Sequence, residues 1–213
     1  MAFFQNSVLN RYIETQNEEI IQAAYEQYTC YFHDPAIQQN IRNSKEEQFQ
    51  EGFLRELFVH ILGYTLNPIP NYNLTTELKN EKGAQKADGA ILKDGKALAV
   101  IELKGTDTTD LDKINAQAFN YKNNHSNCVY VITSNFEKLR FFIHNSVAHL
   151  EFSLFHLTKD RFRLLWLCLH ADNLLKGLPL KIKEESLLVD EKITHQLYKD
   201  YASFRTDLWH NMV

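Results

Sequence analysis

The sequence predicts a mixed α/β (α+β) fold: a central mixed β-sheet flanked by helices, with helical segments at its N- and C-terminal ends. Three observations carry this. Apolar residues recur at helical spacing in the first and last parts of the chain. Between them lie short β-branched and aromatic runs punctuated by turn residues. The 213 residues are 44% hydrophobic and 23% charged, which suits one well-filled core and excludes a disordered chain. The expected organisation is a helical segment over 1–43, a core over 44–158, and a helical segment over 159–213 that leads toward a further domain.

Residues 7–41 read as helical, with Ile13, Ile20, Ile21, Ala24, Tyr25 and Tyr28 near helical spacing and Pro35 as punctuation. Ser44 followed by Glu47 fits a capping box. The helix it opens presents Phe49, Phe53, Leu54, Leu57, Phe58, Ile61 and Leu62, and Gly63 is its stop.

Strands are expected over 73–78, 87–92, 97–103, 128–133, 139–143 and 149–152. The segment Lys93-Asp94-Gly95-Lys96 joins the second and third as a hairpin. Leu98, Ala99, Val100 and Ile101 leave both faces of the third strand apolar, as in a central strand covered on both sides. A helix beginning at Asp110 carries Ile114, Ala118 and Tyr121. After Thr158, Phe162, Leu165, Trp166 and Leu169 form one helical stripe. A polar loop is expected around 177–183, and Ile193, Leu197, Tyr198, Tyr201, Phe204 and Leu208 form a last stripe.

The net charge is −4 and the isoelectric point about 6.1, so the chain shows no strongly basic face for nucleic acid. Cys30, Cys128 and Cys168 lie far apart and match neither a disulfide framework nor a zinc pattern. With no signal-peptide pattern and no apolar run of membrane-spanning length, the expected setting is the cytoplasm, without a membrane partner.

The chemistry concentrates between Asp88 and Tyr121. Glu102 and Lys104 are two apart on a strand and share a face. Two carboxylates, Asp88 and Glu102, can hold a hard divalent cation, with the Leu103 carbonyl as a further ligand. Lys104 can order the attacking water or meet phosphate charge. Acid-x-Lys triplets are most often surface ion pairs, but burial on an apolar strand beside a hairpin aspartate favours a site.

Whether Asp88 joins Glu102 depends on the hairpin. A plain two-residue turn pairs Lys93 with Lys96 and sets Asp88 opposite Ile101. A type I turn with a bulge at Gly95 pairs Leu92 with Lys96 and brings Asp88 to Glu102's face. The expectation is the bulged turn, or another offset of the same parity. Gln117 and Tyr121, spaced i, i+4, point the same way from the next helix. Among Glu47, Glu51 and Glu56, Glu51 is the favoured extra metal ligand, because it shares a side with Leu54, Phe58 and Leu62. His60 and His144 read as packing or surface residues.

Taken together, Glu47 to Leu62, Asp88, Glu102-Leu103-Lys104 and Gln117 to Tyr121 resemble the PD-(D/E)xK nuclease superfamily. Asn71 to Glu77, Lys86 to Ala90 and Thr133 to Arg140 are similar to the N-terminal cleavage domain of type IIG restriction enzymes, which fuse nuclease and methyltransferase. The resemblance implies a restriction-endonuclease-like fold and hydrolysis of phosphodiesters in double-stranded DNA, dependent on Mg²⁺ with Mn²⁺ able to substitute. It implies that Asp88 and Glu102 hold the metal, that Lys104 assists the water, and that Gln117 and Tyr121 form the family's helix motif. Ala87 stands where the family's name has proline. No Gly-rich S-adenosylmethionine loop and no Asn-Pro-Pro-Tyr are present, so a methyltransferase and a target-recognition region are expected elsewhere in a longer chain. The alternatives are a repair, recombination or mobile-element nuclease of the same fold, or a non-catalytic DNA-binding or assembly module.

Overall fold

The structure is a computed structural model in which residues 3–79 and 86–211 are described, the side chains of 210 and 211 aside. Helices α1 (Asn6–Glu14), α2 (Glu18–Phe32) and α3 (Pro35–Asn43) open the chain. Asn17 accepts the Glu19 and Ile20 amides at the start of α2, and Asp34 accepts those of Ala36 and Ile37 at the start of α3. Such caps satisfy orphan helix donors and contribute about 1 kcal/mol each. Pro35 does punctuate this region, as the first residue of α3.

Helix α4 (Glu46–Phe53) runs directly into a π-helical stretch, Leu54–Ile61. Its start differs from the sequence expectation by one residue. Ser44 belongs to the end of α3, where its hydroxyl donates to the Asn40 carbonyl at 2.8 Å. Gln48 Oε1, not Glu47, takes the Lys45 amide at 2.9 Å. Phe53, Leu54, Leu57, Phe58, Ile61 and Leu62 are buried, and Gly63 ends the element at a φ of 77°.

Six strands form one mixed sheet in chain order: β1 (Leu74–Lys79), β2 (Lys86–Lys93), β3 (Lys96–Leu103), β4 (Tyr130–Ser134), β5 (Lys138–Ile143) and β6 (His149–Ser153). All neighbours are antiparallel except β3 and β4, which run parallel. Parallel neighbours need a crossover, and α5 (Asp112–Asn123) lies between them in the chain.

Strand β3 is covered on both faces, as its apolar run requires. Ala99, Ile101 and Leu103 join the main core with Phe53, Leu57, Phe58, Phe136 and, from α6 (Lys159–Leu169), Phe162. Val100 packs with Ala87, Val131, Phe142 and the α5 residues Ala118 and Tyr121. Gly89 lets the helical layer approach. A Cβ there would stand 3.3 Å from both Leu54 Cδ1 and the Thr75 carbonyl oxygen.

The polar loop expected around 177–183 is instead helix. Gly177, at a φ of 75°, closes the turn after α7 (Ala171–Leu175), and α8 (Leu178–Asn211) begins at once. Ile182 anchors it with 0% exposure, joined by the buried Pro179 and Ser186. Beyond Val189 the apolar stripe leaves the body, so Ile193, Leu197, Tyr198, Tyr201, Phe204, Leu208 and Trp209 are exposed. Among the described residues no helix is long and apolar enough to cross a membrane.

Candidate active site at the end of β3

The hairpin brings Asp88 to Glu102 by a different device from the one expected. Lys93 pairs with Lys96 around a tight turn in which Asp94 and Gly95 have φ values of 51° and 73°. Positive φ at both positions is the two-residue hairpin geometry, so the bulged turn is not formed. The offset enters one step later. Leu92 pairs with Ala97 but Ile91 pairs with Ala99, which leaves Leu98 as the extra residue of a β-bulge. Ala90 then faces Val100 and Gly89 faces Ile101. The same register carried one residue further sets Asp88 against Glu102. The parity is the one the site needs, reached by another offset.

Past Gly89 the ladder yields to a side chain. Asp88 Oδ2 accepts the Leu103 amide at 2.8 Å, so the carboxylate lies against the β3 backbone. Burial raises the Asp88 pKa above its ordinary value, partly opposed by that amide and by the Lys104 charge.

Glu102 is 1% exposed. Its Oε1 lies 3.3 Å from Lys104 Nζ, and among the described residues its buried Oε2 has no hydrogen-bond partner. Burial, then the negative charge of Asp88, push its pKa up to about 7 against the pull of Lys104. A buried carboxylate oxygen with nothing to bond is costly and calls for an explanation.

Lys104 Nζ stands among acceptors: Leu103 O at 3.0 Å, Glu46 Oε1 at 3.1 Å and Glu102 Oε1 at 3.3 Å. An ammonium has three donors, and these three acceptors use them all. Burial acts to lower its pKa, but the Glu46 bond and the charges of Glu102 and Asp88 outweigh it, and the pKa is raised.

The helix acid at this cluster is Glu46, a correction to the expectation of Glu51. Glu51 is exposed and paired with Arg55 Nη2 at 2.8 Å, and Glu47 is exposed as well. The reason is helix phase. The buried stripe of Ile61, Leu57 and Phe53 continues back to the half-buried Gln50 and Glu46, in steps of three and four. Glu51, one residue past Gln50, is turned about 100° away from that line. Following Leu54, Phe58 and Leu62 alone hides this, because the buried face is two residues wide. Glu46 and Gln50 are the residues sequence reasoning missed.

Gln117 and Tyr121 do meet, with Gln117 Nε2 donating to the Tyr121 hydroxyl at 3.0 Å. They belong to α5, where Tyr121 is buried against the Val100 side of the sheet and Gln117 is exposed. Thr133, the β4 partner of Glu102, hydrogen-bonds Asn115 of α5 at 3.1 Å. The cluster therefore sits where α4, α5 and the ends of β2 and β3 converge. His60 is exposed and pairs with Glu56 at 3.2 Å, and the exposed His144 follows β5 at a φ of 63°.

Asp88, Glu102 and the Leu103 carbonyl are hard oxygen donors, and the orphaned Glu102 Oε2 gives a divalent cation a bond to make, so these residues fit Mg²⁺. Among the described residues no group of three or more His, Cys, Asp or Glu converges as a ready metal cage. Lys104 stands between Glu46 and Glu102 and bonds both. No protein-family model matches the chain, and no curated protein sequence matches it.

Proposed function

We propose that the chain is a Mg²⁺-dependent DNA endonuclease unit of the PD-(D/E)xK type, the cutting part of a restriction–modification enzyme. The observation that carries the reading is the buried Glu102, with one oxygen unpartnered, beside Asp88 and Lys104 at the end of a central strand. An acid held out of water with an unmet bond makes physical sense where a cation and a phosphodiester are to be bound.

Asp88, Glu102 and the Leu103 carbonyl would hold the metal. Once bound, Mg²⁺ supplies charge stabilisation for the scissile phosphate and acidifies a water. Lys104, released from Glu46 and Glu102, donates to the attacking water or to a phosphate oxygen. Gln117 and Tyr121 act as one hydrogen-bonded pair toward the DNA backbone. With a net charge of −4, sequence-specific grip on double-stranded DNA is assigned to a target-recognition region, and protection of host DNA to a methyltransferase, in a longer cytoplasmic polypeptide.

The test is cleavage of supercoiled plasmid with Mg²⁺ or Mn²⁺, by this chain and by the longest natural polypeptide containing it. Metal-dependent nicking by the parent and none by Glu102→Ala is the expected result. Equal cutting by both would remove the assigned site. Tight DNA binding without cutting would favour a non-catalytic module.

A further inference from the structure

A one-way hydrogen-bonded path starts beside the buried acid of this site and runs away from it. Thr133 is the β4 partner of Glu102 in the parallel register. Side chains of such partners leave the same face of the sheet, on strands about 4.8 Å apart. The Thr133 side chain is buried, and its hydroxyl donates to Asn115 Oδ1 of α5 at 3.1 Å. Asn115 donates in turn through Nδ2 to Asp112 Oδ1 at 3.3 Å, and Arg140 Nη1 donates to the same oxygen at 2.6 Å.

The Asp112 carboxylate sets the direction of the whole path. An ionised carboxylate only accepts, so it takes the amide nitrogen of Asn115 and turns the amide oxygen toward Thr133. That oxygen also only accepts, and it claims the one proton of the Thr133 hydroxyl. Thr133 therefore has lone pairs alone to offer a second neighbour. Glu102, on the same row of the sheet, is buried, and among the described residues its Oε2 has no hydrogen-bond partner. A Thr133 proton not held by Asn115 would be a donor for that oxygen.

We propose that Asn115 is a positioning residue of the metal site: it holds the Thr133 proton away from Glu102 and so leaves Glu102 Oε2 open to a cation. This rests on the metal-nuclease reading above. Residues that orient metal ligands typically change affinity by about 10–100-fold when removed.

The experiment is Mn²⁺ binding to the metal-free 213-residue chain, measured by titration calorimetry. Parent, Glu102→Gln, Asn115→Leu, Thr133→Val and the double variant Asn115→Leu/Thr133→Val are compared. The parent is expected to bind and Glu102→Gln to lose binding. Asn115→Leu frees the Thr133 proton for Glu102 and is expected to bind about 10–100-fold more weakly. Thr133→Val keeps the shape and has no proton to give, so it is expected to bind close to the parent. The double variant is expected to recover the affinity that Asn115→Leu loses, because the proton that closed Glu102 is gone. A merely structural role for Asn115 would not be rescued by removing a second polar group. If the parent binds and Glu102→Gln does not, two results overturn the positioning role while the metal site stands. One is Asn115→Leu binding like the parent, and the other is a double variant as weak as Asn115→Leu. No Mn²⁺ binding by the parent, or equal binding by Glu102→Gln, would remove the metal site and the Asn115 role together.

Discussion

Asp88 Oδ2 accepts the Leu103 amide at 2.8 Å, so the first acid of the site is fastened to the strand that carries the second. A backbone donor fixes the carboxylate in place and replaces a ladder bond at the same time. Asp88→Ala is expected to cost about 1–3 kcal/mol, the usual penalty for a buried amide left unpaired. Asp88→Asn keeps an acceptor and is expected to cost less, while still losing cleavage. Urea unfolding beside plasmid nicking separates the two effects.

Among the described residues, Lys104 is the one cation shared by Glu46 and Glu102, at 3.1 and 3.3 Å. Lys104→Met removes that internal cation. The metal-free variant is expected to unfold at lower temperature, since Glu102 is left buried without a counter-charge. It is also expected to bind Mn²⁺ more tightly than the parent, yet to cut DNA at least about 100-fold more slowly, as loss of a group acting on the water predicts. Weaker Mn²⁺ binding by Lys104→Met would show that the lysine supports the metal instead of standing in for it.

The sign of the pH effect follows from Glu102. Its folded pKa, near 7, lies above the ordinary glutamate value of 4.5. Between those values the folded chain binds the proton and the unfolded chain does not, so stability falls as pH rises through this window and levels off above it. At 1.36 kcal/mol per unit, the contribution is on the order of 3 kcal/mol. Asp88, also raised, acts in the same direction. Unfolding of the metal-free protein near pH 5 and near pH 8 is expected to show the decline, and Glu102→Gln to flatten it. Metal binding needs the deprotonated form, so Mn²⁺ affinity is expected to climb with pH across the same window.

Glu51 and Glu46 give the clearest contrast on α4. Glu51→Ala removes an exposed i, i+4 pair with Arg55 and is expected to change stability by only about 0.3–0.5 kcal/mol, with cleavage intact. Glu46→Ala removes the acceptor shared by Lys104 and Gln50 and is expected to reduce cleavage at limiting Mg²⁺. Nicking rates over a Mg²⁺ titration decide between the two acids.

How much was legible in the sequence depended on the kind of signal. The strands announced themselves through short β-branched runs, and β3 through apolar residues on both faces. The parity of Asp88 and Glu102 was legible because side chains alternate with a period of two, so only one class of offset builds the site. The location of the offset was not. Asp94-Gly95 suits a two-residue turn and a bulged one equally well, and nothing about Leu98 marks it as a bulge. Glu46 was hidden by a buried helix face two residues wide, which allows two readings of its phase. Gln50 was hidden because its place at the site shows only through its hydrogen bond to Glu46. The start of α8 was masked because Gly177, Pro179, Lys181 and Lys183 read as loop, although Leu178, Leu180 and Ile182 pack on the core.

The central claim is that Glu102 is the acid on which metal-dependent DNA cleavage turns. Its most direct test is the initial rate of plasmid nicking in Mg²⁺ by the longest natural polypeptide containing this chain, compared with the same protein carrying Glu102→Ala. The account predicts that the variant is at least about 100-fold slower, and that chelating the metal abolishes what the parent does. Equal rates in the two proteins, or parent nicking that persists without a divalent cation, would contradict it.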